Sequence, residues 1–74
     1  MNNQRRKTLK EAIELIEQAT AVIEEVKNQE ENALDNLPEN LQDSERAENM
    51  QECIDLLEEV QNDLESRCEE ISEL

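Results

Sequence analysis

LKEAIELIEQATAVIEEV, residues 9–26, places an apolar residue at every third or fourth position. Leu9, Ile16 and Ile23 stand seven apart, and Ala12, Ala19 and Val26 follow each of them three residues later. That spacing keeps one stripe of an α-helix against a neighbouring helix. Outward from this stretch the first series continues through Glu30 and Leu37, the second through Ala33. Thr8 and Glu11 form a Thr-x-x-Glu capping box just ahead of the repeat, which predicts a first helix over 8–35 behind a basic arm, 1–7. Asn2 and Asn3 are available to cap an extra turn, but a packed helix begun that early would carry Arg5 into the seam. Asn36, which tolerates a left-handed backbone, and Pro38, which cannot continue a helix, predict the end.

DNLPENLQDSER, residues 35–46, holds the sole proline of the chain. Residues 36–43 read as a turn, with Pro38–Leu41 as a short helical piece that proline can open. Asp43 or Ser44 caps a second helix over 44–74. Its seam reads Met50, Leu57, Leu64, Ile71 in one series and Ala47, Cys53, Val60, Arg67, Leu74 in the other. Two helices of matched length joined by a short loop form an antiparallel hairpin, so the fold class is all-α. A turn centred near residue 40 sets Leu9 against Ile71 and Val26 against Cys53.

The apolar stripe is wider than one such contact uses. Ile13, Leu15, Val22 and Leu34 flank the first seam, Ile54 and Leu56 the second. A two-stranded seam takes two positions in seven, whereas bundles take three or more. The chain has no aromatic residue and only 35% apolar residues, and cores this small usually gain stability by association. The expectation is a hairpin that assembles into a four-helix bundle or a higher homo-oligomer, through Leu15, Val22, Glu30, Ile54, Leu56 and Arg67. Glu30 and Arg67 interrupt the seams, and in an antiparallel dimer of hairpins they face one another across the interface.

Absent residue types remove several chemistries. Without histidine there is no Ser-His or Cys-His pair, and without glycine no phosphate-cradling loop. Without aromatics there is no platform for stacked bases. Glu11, Glu14, Glu17, Glu52 and Asp55 stand in E-x-x-E and E-x-x-D units like those of all-helical nucleotide pyrophosphohydrolases. Their heptad positions face outward, so they read as a solvated acidic surface, with no metal and no cofactor expected. Cys53 and Cys68 are fifteen residues apart on one helix, too far to pair within the chain, and read as small core residues of a reducing compartment. The formal net charge is −14, which argues against direct binding of nucleic acid. The absence of a long apolar run argues against a membrane span and points to the cytoplasm.

Asn36-Leu37-Pro38-Glu39-Asn40-Leu41-Gln42-Asp43-Ser44-Glu45-Arg46 resembles the turn signature of small acidic proteins carried by phages and prophages of Gram-positive bacteria, two helical segments around NLPE-x-LQ-x-SER. The glycine frequent after the arginine in that family is Ala47 here. The resemblance implies only a small phage-type accessory protein and brings no activity with it; a non-enzymatic interaction protein is expected. The expected function is therefore binding of a host component, a defence protein or its small-molecule signal, in the host cytoplasm. The candidate partner-binding residues are Glu39, Gln42, Ser44 and Arg46, supported by Leu37 and Leu41, which plug the bundle end or belong to the contact surface. Two other classes compete: an acidic mimic of DNA that inhibits a nucleic-acid-binding protein, and a structural or assembly protein.

Overall fold

The computed structural model describes residues 1–74 as two α-helices, α1 (Asn3–Asp35) and α2 (Glu45–Ser72), joined by a turn that contains a single 3-10 piece, Glu39–Leu41. The helices pack side by side into a rod whose Cα extents are 59 × 15 × 11 Å. They run antiparallel: at the open end Arg6 Nε donates to the carbonyl of Leu74, 2.9 Å away. This is the level pairing that a turn near residue 40 requires.

α1 starts five residues before the predicted Thr8. Asn2 is its cap, with Oδ1 accepting from the Arg5 N–H at 2.8 Å. Thr8 is an interior residue instead, donating from its hydroxyl to the Gln4 carbonyl. The basic arm, 1–7, is thus a helical extension. The objection to an early start fails because the seam is rotated. Arg5 is exposed, and Arg6, seven residues before Ile13, occupies the seam line at the open end. Cations at a helix N-terminus oppose the macrodipole. Here the Arg6 guanidinium meets the carbonyl end of the antiparallel neighbour, which favours it.

The turn closes without a left-handed residue. Asn36 has φ −94° and ψ 4°, contrary to expectation, and no residue has positive φ. Pro38 denies the helix its next N–H and disfavours helical backbone at Leu37. A side chain ties the end of α1 to the turn: Gln42 Nε2 donates to Leu37 O at 2.8 Å and reaches Leu34 O, which also accepts from the Leu37 N–H, at 3.4 Å. Ser44 then caps α2, its Oγ accepting from the Ala47 N–H at 3.2 Å while donating to Leu41 O at 2.6 Å.

The seam between α1 and α2 differs from the predicted one by one position in one series of each helix. The series Leu9, Ile16, Ile23, Glu30, Leu37 and Met50, Leu57, Leu64, Ile71 lie in the hairpin contact as half-buried residues. Their companions are Ile13, Thr20, Lys27 and Leu34 on α1, and Ala47, Ile54, Gln61 and Cys68 on α2. Ala19, Val26, Ala33, Cys53 and Arg67, all predicted to face inward, are exposed. The rotated seam brings Ile13, Leu34 and Ile54 inward, which cover more apolar area than the Ala12, Ala33 and Cys53 they replace there, and leaves Arg67 in solvent. It also admits Thr20, Lys27 and Gln61. The core is thin: only Thr20, Ala47, Ile54 and Cys68 are buried, and none of them fully.

Candidate interaction surfaces

Three surfaces arise from this rotation: the turn, and one face on each side of the plane that contains the two helices. At the turn, Leu37 and Leu41 are half-buried against the hairpin end. Gln42 and Ser44 engage backbone carbonyls as described, so both hold the loop in shape. Glu39 and Arg46 are exposed. Arg46 borders a shallow groove of about 350 Å³ with Glu30, Asn49, Met50 and Cys53 and makes no ion pair; the sole ion pair of the chain joins Arg67 to Glu70 at 2.9 Å. The proposed turn residues therefore divide into two apolar plugs, two loop-formers and two outward charges.

On one face the residues lie one position after the seam. Glu17, Glu24, Glu65 and Glu69 rim a cleft of about 450 Å³, with Ile13, Thr20, Gln61 and Cys68 beneath. The Thr20 hydroxyl donates to the Ile16 carbonyl at 2.8 Å. Gln61 Oε1 is buried and has no hydrogen-bond partner. Sequence alone gives no warning of this, because Gln61 becomes a seam residue only once the seam is rotated.

On the opposite face the residues lie one position before the seam. In two antiparallel helices the same angular offset points to the same side, so the outer series of α1 and α2 share a surface. It comprises Ala12, Leu15, Ala19, Val22 and Val26 from α1, with Cys53, Leu56 and Val60 from α2. Leu15, Val22 and Leu56 are 65%, 58% and 59% exposed, and Val26 is 47% exposed. These are the largest apolar side chains left uncovered between the two ends of the rod. Of the residues predicted to form an oligomer interface, Leu15, Val22 and Leu56 lie on this face. Arg67 also lies on it, paired with Glu70. Ile54, only 4% exposed, belongs to the hairpin core and is unavailable to a second copy. Glu30 is half-buried on the seam. Sequence reasoning overlooked Val26 and Ala19 as surface residues, although their seven-residue spacing was the visible signal.

No protein-family model, curated protein or solved structure matches this chain.

Chemically, the three surfaces offer charge and apolar area. Glu11, Glu14, Glu17, Glu52 and Asp55 are exposed, and no three acidic or sulfur side chains converge as metal ligands would. Both cysteines are free, Cys68 buried and Cys53 exposed. The inward position predicted for Cys53 is lost with the rotation of the seam. No helix is long and apolar enough to cross a membrane.

Proposed function

We propose that this chain is a non-enzymatic, phage-type accessory protein that binds a host component, a defence protein or its small-molecule signal, through the turn end of the hairpin. The observation that carries the reading is the way the turn is built. Gln42 and Ser44 tie the loop to the carbonyls of Leu34, Leu37 and Leu41, and Glu39 and Arg46 stand outside it with no ion pair. A loop already held in one shape loses less conformational freedom on binding. Opposite charges at fixed positions select a partner by charge pattern. Plain hairpin closure accounts for Pro38, Gln42 and Ser44 but gives Glu39 and Arg46 nothing to do. The resemblance of NLPENLQDSER to a phage-protein turn agrees with this placement.

The test is affinity capture from lysate of a Gram-positive host, followed by identification of captured proteins and small molecules. A charge-reversed turn, Glu39→Lys with Arg46→Glu, is compared with the parent and with an equally reversed pair on the outer side of α1, Lys10→Glu with Glu14→Lys, both exposed. A specific partner lost with the turn pair and kept with the other pair supports the reading. Equal capture by all three proteins overturns it.

The mimic of DNA is the second reading, favoured by one observation. Every carboxylate except Glu30 and Glu31 is exposed, along a rod 59 Å long. A basic DNA-binding channel is complementary to such a surface. Capture of nucleic-acid enzymes that falls steeply with salt, and falls equally for every carboxylate pair removed, distinguishes this reading from the turn.

A further inference from the structure

We infer that the outer apolar face of α1 is the docking site for a second copy of the chain, turned end for end about a two-fold axis that passes beside Ala19. The occupant follows from four observations.

The first is area. A compact monomer of 8.6 kDa exposes about 4,700 Å² by the usual scaling of surface with mass, whereas this hairpin exposes 5850 Å². The surplus exceeds the roughly 800 Å² that each partner contributes to a standard interface. One added layer of helices on the apolar side therefore brings the chain to ordinary compactness.

The second is self-complementarity. The apolar series runs from Ala12 to Val26, and its midpoint, Ala19, is also the midpoint of α1, which spans Asn3–Asp35. Reversing a second α1 about that point superposes the series on its own mirror order. Ala12 of one copy comes level with Val26 of the other, and Leu15 lies beside Val22. Both copies of all five residues meet over the middle of α1, residues 12–26. Small Ala19 at the crossing lets the two backbones approach closely.

The third is charge. Arg5, Arg6, Lys7 and Lys10 occupy the first quarter of α1, and Glu24, Glu25, Glu30, Glu31 and Asp35 the last third. Reversal sets the basic end of each helix beside the acidic end of the other. A side-by-side pairing in the same direction sets like charges together at both ends.

The fourth concerns α2. The Arg6–Leu74 bond makes Ala19 level with Gln61, so the same axis carries α2 over its own copy near Gln61. Arg67, on the apolar face, then comes beside Leu56 of the second copy, so α2 adds less apolar contact than α1. The other closed arrangement, with both turns at one end, lays the apolar series of α1 on residues 54–68 of α2, whose outer face carries Leu56 and Val60 but also Asp63 and Arg67, so only part of the series meets apolar residues. The end-for-end arrangement is the one in which all five apolar residues of α1 meet their own copies. It does not use Glu39 or Arg46, and it stands independently of the turn reading.

The test uses the full chain with Cys53 and Cys68 replaced by Ala and one new cysteine, Ala19→Cys. Sedimentation at micromolar concentration is expected to show a dimer, and mild oxidation to link most of it covalently. The control, Glu14→Cys in the same background, is expected to give at least tenfold less linked dimer. Leu15→Glu with Val22→Glu is expected to halve the sedimenting mass. Helicity of that variant need not survive, because the cysteine pair answers the question without it. A single chain at micromolar concentration overturns the inference. So does a dimer that Ala19→Cys does not link, since the arrangement with both turns at one end separates the two copies of residue 19. Capture experiments on the turn variants leave all these outcomes unchanged, so the two proposals fail separately.

Discussion

Gln61 decides how tightly the middle of the hairpin closes. A buried acceptor without a donor costs roughly 1–3 kcal/mol, and Gln61 Oε1 is such a group. Gln61→Leu removes it and adds apolar area to the seam. The expected gain is about 1–2 kcal/mol, read as a rise in thermal midpoint of about 4–8 °C per kcal/mol. Thr20→Val, across the seam, is expected to change the midpoint far less, because the Thr20 hydroxyl already bonds to Ile16 O. An unchanged or lower midpoint for Gln61→Leu means that the amide is satisfied in solution, and the thin-core account of this layer then falls. At the other end of α2, Ser44→Ala removes the hydroxyl that both caps the helix and ties it to Leu41. Loss of an N-cap costs about 1 kcal/mol, so urea unfolding is expected to show an earlier midpoint with an unchanged slope. A Ser44→Asp variant, whose carboxylate also caps, is expected to recover most of that loss.

Each helix was legible in its repeat, and which way it faces was not. Leu9, Ile16 and Ile23, with Leu57, Leu64 and Ile71, belong to the inner stripe under either reading, so the hairpin and its level pairing followed from them. The companion series was ambiguous because α1 carries two: Ala12, Ala19 and Val26 are uniformly apolar, while Ile13, Thr20, Lys27 and Leu34 are mixed. Pattern favours the uniform series, whereas packing favours the mixed one, since Ile13, Leu34 and Ile54 fill space that alanine leaves open. Ala47 held a clue, because sevens from it lead to Ile54, Gln61 and Cys68 and not to Cys53. The turn was legible in outline through Pro38 and Ser44. The two-carbonyl tie made by Gln42 was not, because nothing local marks a glutamine as a cap. The start of α1 was missed for a different reason, as two caps compete: Asn2, and Thr8 with Glu11. That competition has a measurable consequence. Deleting residues 1–7 leaves the Thr8 box to start a shorter helix, which repeats the cap chemistry. The truncated chain is expected to fold with a loss of only about two turns of helical circular dichroism. Complete unfolding on truncation means that the Arg6–Leu74 bond and the first turns hold the open end together.

For the whole molecule, the governing quantity is charge against a thin core. A formal net charge of −14 on a rod 15 Å by 11 Å across leaves carboxylates close together. Glu48 with Glu52, Asp55 with Glu59 and Glu65 with Glu69 repeat like charges four residues apart, a spacing that destabilises a helix by a few tenths of a kcal/mol per pair. The only ion pair is Arg67–Glu70, exposed at 76% and 61%, and exposed pairs contribute little. Screening therefore removes more repulsion than attraction. Raising NaCl from about 0.15 M to ~1 M shortens the Debye length from about 8 Å to about 3 Å, so the thermal midpoint is expected to rise with salt. Two copies in contact strengthen this dependence, because association doubles the charge on one particle while the opposed ends of α1 offset only part of it. The effect should accordingly be larger at concentrations where the chain is dimeric, and smaller for Leu15→Glu with Val22→Glu. A midpoint that falls as NaCl rises means instead that attraction between the basic end of α1 and its acidic neighbours outweighs the self-repulsion of the remaining carboxylates, which reverses the balance drawn here for the molecule.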